Sequence, residues 1–261
     1  MLTKMLVDPH VHTAVGSYDS IISPQQLIIK AKQRGIGALC VTDHNSYDGI
    51  RETQEVGAKE DIIVIKGIEM DTEYGDVLIY GVDISDLPSM KLDKLVDRVH
   101  AKSGAVVIPH PFVRCDLRQK TMRSYLVHYL KEISSKISNE AHSIEIGIEQ
   151  LINFVQDRDP TLMSILKKVD GIEVLNSTCS LLDKWLAFAL AEYLGKNKIG
   201  SSDAHIPEQV GLYATVFPSD IECERDFIQC LKYGKNLEPI INFTQNKLGL
   251  PGLTPKWSPK E

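Results

Sequence analysis

Histidine, aspartate and glutamate side chains stand at the ends of five short apolar runs in this sequence. Imidazole and carboxylate groups in combination are typical ligands of Zn²⁺, Mn²⁺ or Fe²⁺, whereas Ca²⁺ prefers oxygen ligands. Residues i and i+2 of an extended segment face the same side, so the pair His10 and His12 can hold one ion. Asp203 and His205 share that spacing. The residues that end the five runs are His10 with His12, Asp43 with His44, Glu69, His110, and Asp203 with His205.

Each of these residues also has a purely structural interpretation. A single histidine such as His110 is more often a hydrogen-bonded core residue than a ligand, and Glu69 alone could be a buried ion-pair partner. The pattern H-x-H is common without metal. Histidine and acidic residues nevertheless recur at the end of one predicted strand after another, which favours a shared metal site. The remaining histidines, His100, His128 and His142, fall on predicted helices and are interpreted as surface or packing residues.

The apolar runs alternate with amphipathic stretches, which predicts strands joined by helices. Such alternation implies right-handed βαβ units and a mostly parallel sheet, and seven or eight units suggest a closed or distorted barrel. Catalytic residues of such barrels lie at the C-terminal ends of the strands, in one mouth. Strands are predicted at 5–8, 38–43, 62–70, 77–83, 105–110, 171–176, 198–203 and 214–218, and helices at 24–34, 48–58, 91–102, 181–194 and 222–233.

One region interrupts this alternation. Between residues 116 and 169 no strand is evident, and apolar residues recur at helical spacing, so we predict a helical insertion packed over one edge of the barrel mouth. Residues 1–248 are predicted to form a single barrel domain that includes this insertion. Residues 249–261, which are rich in glycine and proline, are predicted to be a flexible tail.

Composition sets further limits on function. The 261 residues are 43% hydrophobic, as in ordinary globular proteins, and the net charge of -6 argues against general attraction to nucleic acid. The five cysteines are dispersed, which is typical of reduced thiols. No stretch has the length of a membrane span, and the start shows no secretory signal. A cytoplasmic location without membrane association is therefore expected.

The insertion and the loop before it form a locally basic region. Most lysine-rich helices are simply solvated, but one hypothesis is that this region guides a polyanion such as an oligonucleotide. Its basic residues between 114 and 136 are Arg114, Arg118, Lys120, Arg123, Lys131 and Lys136, against only Asp116 and Glu132.

The motifs D-P-H-V-H, T-D-H-N, G-I-E, H-P and S-D-A-H, in this order, resemble those of the PHP (polymerase and histidinol phosphatase) family of metal-dependent phosphoesterases. The resemblance covers about residues 5 to 217, with the 116–169 insertion as a gap. It implies an α/β fold, a distorted (β/α)7 TIM-like barrel, and two or three divalent metal ions (Mn, Zn or Fe).

Carried over position by position, the resemblance implies a set of metal ligands in which Glu69 bridges two ions. Asp19 lies in Y-D-S-I-I-S-P, where many relatives have S-D-G-x-x-S-P with the aspartate as a ligand. One departure is that some relatives place a histidine near Leu78, and none is present here. Two well-bound ions and a weaker third are therefore expected. The implied ligands are His10, His12, Asp19, His44, Glu69, His110, Asp203 and His205.

Other roles follow from the same resemblance and from the chemistry of phosphate. Arg114 follows the H-P motif, where similar proteins contact the substrate phosphate, and a guanidinium offers bidentate donors to phosphate oxygens. His44 or His205, if not fully committed to metal, could protonate the leaving oxygen. Asp43 is expected to orient an imidazole from behind, or to be purely structural.

The sequence therefore predicts a hydrolase that cleaves a phosphate mono- or diester through a metal-activated water. Its expected substrate is a small phosphorylated molecule or a short nucleic acid, including nucleotides and oligonucleotides. An amidohydrolase-like C–N hydrolase is one alternative, although T-D-H-N and Glu69, with no evident lysine in the bridging role, argue against it. A non-catalytic metal-binding module is another, and the near-complete ligand set argues against it.

Overall fold

The computed structural model describes residues 4–83, 85, 87, 91–113, 120–137, 147–217, 221–234 and 237–242, and for 133–137 the backbone alone. These residues form nine strands and eight helices. The strands are β1 (Met5–Val11), β2 (Ala38–Val41), β3 (Ile63–Thr72), β4 (Gly75–Tyr80), β5 (Ala105–Ile108), β6 (Gly171–Asn176), β7 (Asn197–Ser201), β8 (Tyr213–Phe217) and β9 (Glu238–Ile241). The helices are α1 (Pro24–Gln33), α2 (Ile50–Gly57), α3 (Leu92–Ala101), α4 (Met122–Ile137), α5 (Ile148–Arg158), α6 (Pro160–Lys168), α7 (Leu181–Leu194) and α8 (Glu224–Tyr233).

The nine strands form one sheet in the order β7-β6-β5-β4-β3-β2-β1-β8-β9, and the sheet curves until it nearly closes. Closure occurs between the end of β1 and the segment that follows β7. The Asp203 amide donates to the His10 carbonyl at 2.9 Å, and the His12 amide donates to the Ala204 carbonyl at 3.1 Å. The predicted distorted α/β barrel is confirmed, and its closure brings residues 10–12 beside residues 203–205.

The sheet is less parallel than predicted. Strand β4 runs antiparallel to both β3 and β5, because a tight turn between Thr72 and Gly75, and not a helix, connects β3 to β4. Strand β8 is antiparallel to β1 and to β9. Strand β9 was missed by the sequence analysis because it is a four-residue, half-exposed edge strand that contains Pro239.

The insertion is helical as predicted, but the position predicted for it is wrong for α5 and α6. Both helices join the outer helical layer, where α6 packs against α3 and α5 packs against α7. Leu151, Val155, Leu162 and Ile165 are buried in the same apolar cluster as Leu190 of α7. Because α6 leads directly into β6, it serves as the barrel helix that precedes that strand.

The lower interior of the barrel is filled by apolar side chains. Leu78 of β4 is fully buried in this cluster with Val7, Ile65 and Val107. Leu78 lies opposite Glu69 in the β3–β4 pairing, so the apolar filling ends directly beneath the predicted ligands. None of the helices in the described part of the chain is long and apolar enough to cross a membrane.

Candidate metal centre

The predicted ligands meet at the mouth of the barrel. His10 lies in β1 and His12 directly follows it, Glu69 lies in β3, and the others occupy loops that follow strands. Their donor atoms form three overlapping groups, within each of which the ligand atoms lie no more than 4.8 Å apart. The groups are His10 with His12 and Glu69, His10 with His110 and Asp203, and His12 with His44 and His205; a fourth group, Glu69 with Asp76 and His110, contains a residue that the sequence analysis did not select.

The innermost part of the centre consists of two histidines and two carboxylates. His10 Nε2 lies 3.4 Å from Glu69 Oε2 and 3.4 Å from Asp203 Oδ1. His12 Nε2 lies 3.3 Å and 3.2 Å from the same two oxygens. All four side chains are buried. Two imidazole nitrogens and two carboxylate oxygens around one point make a donor set that suits a divalent transition-metal ion.

A second part of the centre lies toward solvent. Asp19 Oδ2 lies 3.4 Å from His44 Nε2 and 3.4 Å from His205 Nε2. The rings of His44 and His205 each stack on the His12 ring, with centroids 4.5 Å and 4.3 Å away. Asp19, His44 and His205 therefore form an outer group, to which Asp19 contributes from the loop between β1 and α1.

Glu69 occupies the middle of the whole arrangement. Its Oε2 atom faces His10, His12 and His44, the last at 3.2 Å from Nδ1. Its Oε1 atom faces the other way, 3.1 Å from His110 Nε2. The two oxygens thus point at different groups of donors, which is the geometry that a carboxylate bridging two cations requires.

The ring orientations fit metal binding. His10 Nδ1 lies 3.1 Å from Glu173 Oε1, and His205 Nδ1 lies 3.0 Å from the Asp203 carbonyl. These acceptors hold Nδ1–H, which leaves Nε2 of each ring directed into the centre. Neutral imidazole with a free Nε2 is the form that binds a metal ion. The residues present therefore fit divalent cations of the Zn²⁺, Mn²⁺ or Fe²⁺ type.

Asp43 supports His12 through a serine. Its carboxylate accepts hydrogen bonds from the Thr13 amide at 2.6 Å and from Ser17 Oγ at 2.8 Å. Because the Ser17 hydroxyl donates to Asp43, its oxygen is free to accept from His12 Nδ1, 3.1 Å away. A side chain at Gly16 or Gly49 would collide with the Asp43 carboxylate. Asp43 is thus a positioning residue and does not itself reach the centre.

Glu173, in β6, is a supporting residue that the sequence analysis missed. Besides His10 Nδ1, its carboxylate accepts the His110 amide at 2.8 Å and the Asn176 side-chain amide at 2.8 Å, and it contacts Ser201 Oγ. It is buried, so these donors replace water around its charge. The available signal was a glutamate within the otherwise apolar run GIEVLN.

Asp8 was also missed, and it secures the closure of the barrel. Its buried carboxylate accepts the Ser202 amide at 2.9 Å, the Ser202 hydroxyl at 2.6 Å and the Gly211 amide at 2.9 Å. Burial raises the pKa of Asp8 to about 6, although these hydrogen bonds oppose the shift. Asp8 thereby ties β1 to the loop that carries Asp203 and His205.

The backbone at the centre is strained. Among the described residues, five other than glycine have positive φ angles, and three of them adjoin or belong to the site: Asn45 (51°), His110 (24°) and Asp203 (50°). Such conformations are unfavourable for residues with a Cβ and persist where surrounding contacts enforce them. At His110 and Asp203 the strained turn directs the side chain back into the mouth.

The charges within the centre shift one another's proton affinities. Burial by itself would lower the pKa of His10, but the carboxylates of Asp203 and Glu69 raise it well above the ordinary value. Burial would also lower the pKa of His110, but the hydrogen bond and the charge of Glu69 outweigh burial and raise this pKa to about 9. Burial, assisted by nearby Glu69, raises the pKa of Asp76 to about 7. Burial and His12 lower the pKa of His205.

Several predicted residues lie away from this centre or outside the described structure. Arg114, Arg118 and His142 fall outside the described residues, so the predicted phosphate contact of Arg114 stays a prediction. Arg123 Nη1 pairs with Asp183 Oδ1 at 3.2 Å. The interpretation of the other histidines agrees with the structure, in which His100 pairs with Asp170 at 2.9 Å and His128 is exposed on α4.

Metal binding is expected to release protons. The raised pKa values of His10, His12 and His110 favour protonation of these rings in the metal-free protein, and a protonated ring must lose its proton to become a ligand. Titration calorimetry with Zn²⁺, in buffers of different ionisation enthalpy, should therefore show a net release of protons at pH 7. Affinity should rise as the pH is raised toward 9. Absence of proton release at pH 7 would contradict this prediction.

Replacing Glu173 with glutamine should weaken metal binding without removing a ligand. The variant keeps the size of the side chain but loses the charge that holds His10 Nδ1–H, and an amide cannot accept all of the present donors. Loss of such a supporting partner typically lowers metal affinity about 10- to 100-fold. Competition with a chromogenic chelator measures the change. The control is Glu192→Gln, at an exposed position of α7. Equal metal affinities for the two variants would refute the role of Glu173.

Comparisons with known proteins identify the family of this chain. The model of the PHP domain matches residues 8–149, and a model described as PHP-associated matches residues 183–236. An uncharacterized protein of Methanocaldococcus jannaschii is 27% identical over 119 residues, which cover 41% of this chain and 68% of that protein.

Two solved structures share the fold. A two-domain protein from Bacteroides vulgatus, described as containing a predicted PHP-like metal-dependent phosphoesterase, superposes with a TM-score of 0.58 at 17% identity, over 92% of this chain and 66% of that chain. A lesion-specific endonuclease from Pyrococcus furiosus superposes with a TM-score of 0.55 at 12% identity, over 91% and 58% of the two chains. Since the PHP domain model alone spans more than half of the sequence, the chain belongs to the PHP-domain family.

Proposed function

We propose that this chain is a metal-dependent phosphoesterase that hydrolyses a phosphate mono- or diester. The observation that carries the proposal is the convergence of the seven other predicted ligands on Glu69 and its neighbours, with the two Glu69 oxygens facing separate groups of donors. Membership of the PHP family supports metal-dependent hydrolysis. When bound, divalent cations at such a site supply the Lewis acidity that activates water and neutralises charge on a phosphoryl group.

The exposure of the side chains indicates where a substrate would enter. The Glu69 side chain is 1% exposed, whereas the side chains of His44 and Asp19 are 21% and 37% exposed. A phosphate ester would therefore approach the outer group first, with its leaving group still in solvent. His44 lies at this open edge, within reach of a leaving oxygen. The lowered pKa of His205 favours a neutral ligand over a proton donor at pH 7.

Two features support a nucleotide or oligonucleotide as the substrate. The ring of Tyr18 is 94% exposed and its centroid lies 6.0 Å from that of His44, so it offers an aromatic face beside the centre. Lys120 is exposed, and its backbone amide donates a hydrogen bond to the Glu73 carbonyl. This contact places Lys120 at the turn between β3 and β4, on the mouth side of the barrel. A solved structure with the same fold is described as an endonuclease. A small phosphorylated molecule is the other substrate class that fits the mouth.

The alternatives fit the site less well. Among the described residues, the charged partners of Glu69 and Asp203 are histidines, and no lysine forms a salt bridge with either carboxylate. The bridging position belongs to the Glu69 carboxylate instead, which argues against a C–N hydrolase. The eight side chains that we propose as ligands lie close to one another at the mouth, which argues against a metal-binding module that has lost its chemistry.

Removal and restoration of metal tests the proposed function. The purified protein should lose activity after dialysis against a chelator and regain it with Mn²⁺, Zn²⁺ or Fe²⁺. The substrates should be aryl phosphate mono- and diesters, nucleoside bisphosphates, short RNA and short DNA. Glu69→Gln should lower turnover by about a thousand-fold or more, because transition-state charge loses several kcal/mol of stabilisation.

The matched control is Glu60→Gln, which removes the same charge from an exposed ion pair with Lys32. This control should retain the activity of the unmodified protein. Failure of the restored protein to cleave any phosphate ester, with cleavage of an amide or another C–N bond instead, would replace this proposal by the C–N hydrolase.

The proposed role of the basic region, residues 114–136, in guiding a polyanion is tested at Lys120. Lys120→Gln should reduce turnover of single-stranded oligonucleotides several-fold and leave aryl phosphate turnover unchanged. For one lost phosphate contact, the slope of log affinity against log salt concentration should fall by about 0.7 for single-stranded DNA. Arg123 is unsuitable for this test because it pairs with Asp183.

The control for Lys120 is Lys59→Gln, an exposed lysine after α2 at the opposite end of the barrel. Two outcomes would contradict the idea that the basic region guides a polyanion. One is an equal loss of turnover for oligonucleotide and aryl phosphate in the Lys120 variant, and the other is the same loss of oligonucleotide turnover in the Lys120 and Lys59 variants.

A further inference from the structure

Asp76 is placed among the donors of the centre although no sequence motif marks it. It lies in β4, directly opposite Asp71 in the pairing with β3. One of its carboxylate oxygens lies within 4.8 Å of ligand atoms of both Glu69 and His110. The three residues come from β3, β4 and the turn after β5, so folding alone brings them together.

The surroundings of Asp76 distinguish this group from an ordinary acidic cluster. One member is an imidazole, His110, whose Nε2 faces Glu69 Oε1 at 3.1 Å and whose amide is held by Glu173. Glu69 directs its other oxygen to His10, His12 and His44, so Oε1 is left for this group alone. An imidazole nitrogen and carboxylate oxygens from separate elements thus face one position.

The same position lacks any other protein donor on β4. Leu78, two residues after Asp76, faces the same side of the strand, but it is fully buried in the apolar filling of the barrel. Without Asp76, this group would supply two protein ligands, Glu69 Oε1 and His110 Nε2, one fewer than a well-held catalytic ion usually has.

Electrostatics also favours a cation here. Asp76 is partly buried with Glu69 and Asp71 as its acidic neighbours. Among the described residues, no lysine or arginine forms a salt bridge with Asp76. Carboxylates this close repel one another unless a proton or a metal ion lies between them.

We propose that Asp76 is a ligand of a divalent cation, together with Glu69 Oε1 and His110 Nε2. This ion would be the second one bridged by Glu69, and Asp76 would occupy the role for which Leu78 has no donor atom. The inference rests on the metal centre of the proposed function and makes three well-held ions the expected content, in place of two and a weaker third.

The test is the metal content of variants, which does not depend on activity. Wild-type protein and Asp76→Asn are stripped with a chelator, equilibrated with Mn²⁺ or Zn²⁺ by dialysis, and measured by mass spectrometry of the metal. Asp76→Asn should hold one ion fewer per chain, or bind that ion about 100-fold or more weakly, beyond the effect of losing a supporting contact. Asp97→Asn, which removes the same charge from an exposed ion pair with Lys168 between α3 and α6, should retain the full content.

A second variant guards against loss of structure. Asp76→His supplies an imidazole in place of the carboxylate and should hold more metal than Asp76→Asn. The Co²⁺-loaded proteins provide an independent reading, because loss of one ligand changes the visible absorption of that ion. Circular dichroism of the metal-free variants verifies that they fold.

The outcomes separate this inference from the function on which it rests. Full metal content and unchanged affinity in Asp76→Asn would overturn the role of Asp76 and leave the metal-dependent phosphoesterase intact. Binding of no ion by the wild-type protein, at any of the three predicted groups, would overturn both. A loss of one ion in Asp97→Asn as well would show a general effect of charge and would also overturn the role of Asp76.

Discussion

The buried charge of Glu69 is the constraint on which the site depends. A carboxylate this deeply buried stays ionised only if positive charge surrounds it, and burial acting alone would raise its pKa. The histidines His10, His110 and His12 instead hold the pKa of Glu69 well below its ordinary value. The raised pKa values of these rings favour the positive charge that balances Glu69 in the metal-free protein. Divalent cations would supply the same positive charge in their place, so proton release and metal binding are two aspects of one electrostatic balance.

This balance works only if the rings cannot turn away. Residues behind the ligands fix them: Glu173 holds His10 and the turn at His110, and Asp43 holds His12 through Ser17. Asp8 secures the loop that carries Asp203. These carboxylates are themselves buried and saturated with donors, so each is costly to remove. The strained backbone at His110 and Asp203 is maintained by the same contacts.

The barrel converts this ring of charges into an accessible site. Apolar side chains fill the interior up to Leu78, and the ligands begin directly above. Exposure then increases from Glu69 to Asp19, so the centre is buried at its base and open at its rim. This combination suits the phosphate ester that we propose as the substrate, since buried cations would act more strongly on it and its leaving group would still have a way out.

The local sequence determined those features that depend on near neighbours. Period-two spacing placed His10 with His12, apolar runs marked eight of the nine strands, and the motif order indicated the family and the barrel. Asp19, His44 and His110 were selected through the family resemblance or their position after a strand, and the structure places each of them at the mouth.

Only the tertiary structure decided which distant residues meet. Glu173 lies 163 positions from His10, and nothing in the run GIEVLN states which ring its carboxylate faces. Asp76 became a neighbour of His110 because β4 forms a hairpin with β3 and so lies antiparallel to it, contrary to the parallel sheet that alternation predicted. The packing of α5 and α6 against α7 and α3 likewise arose from shared apolar faces. Local patterns encode the direction in which a side chain points along its own strand, whereas the partner it meets is set by strand order, register and closure.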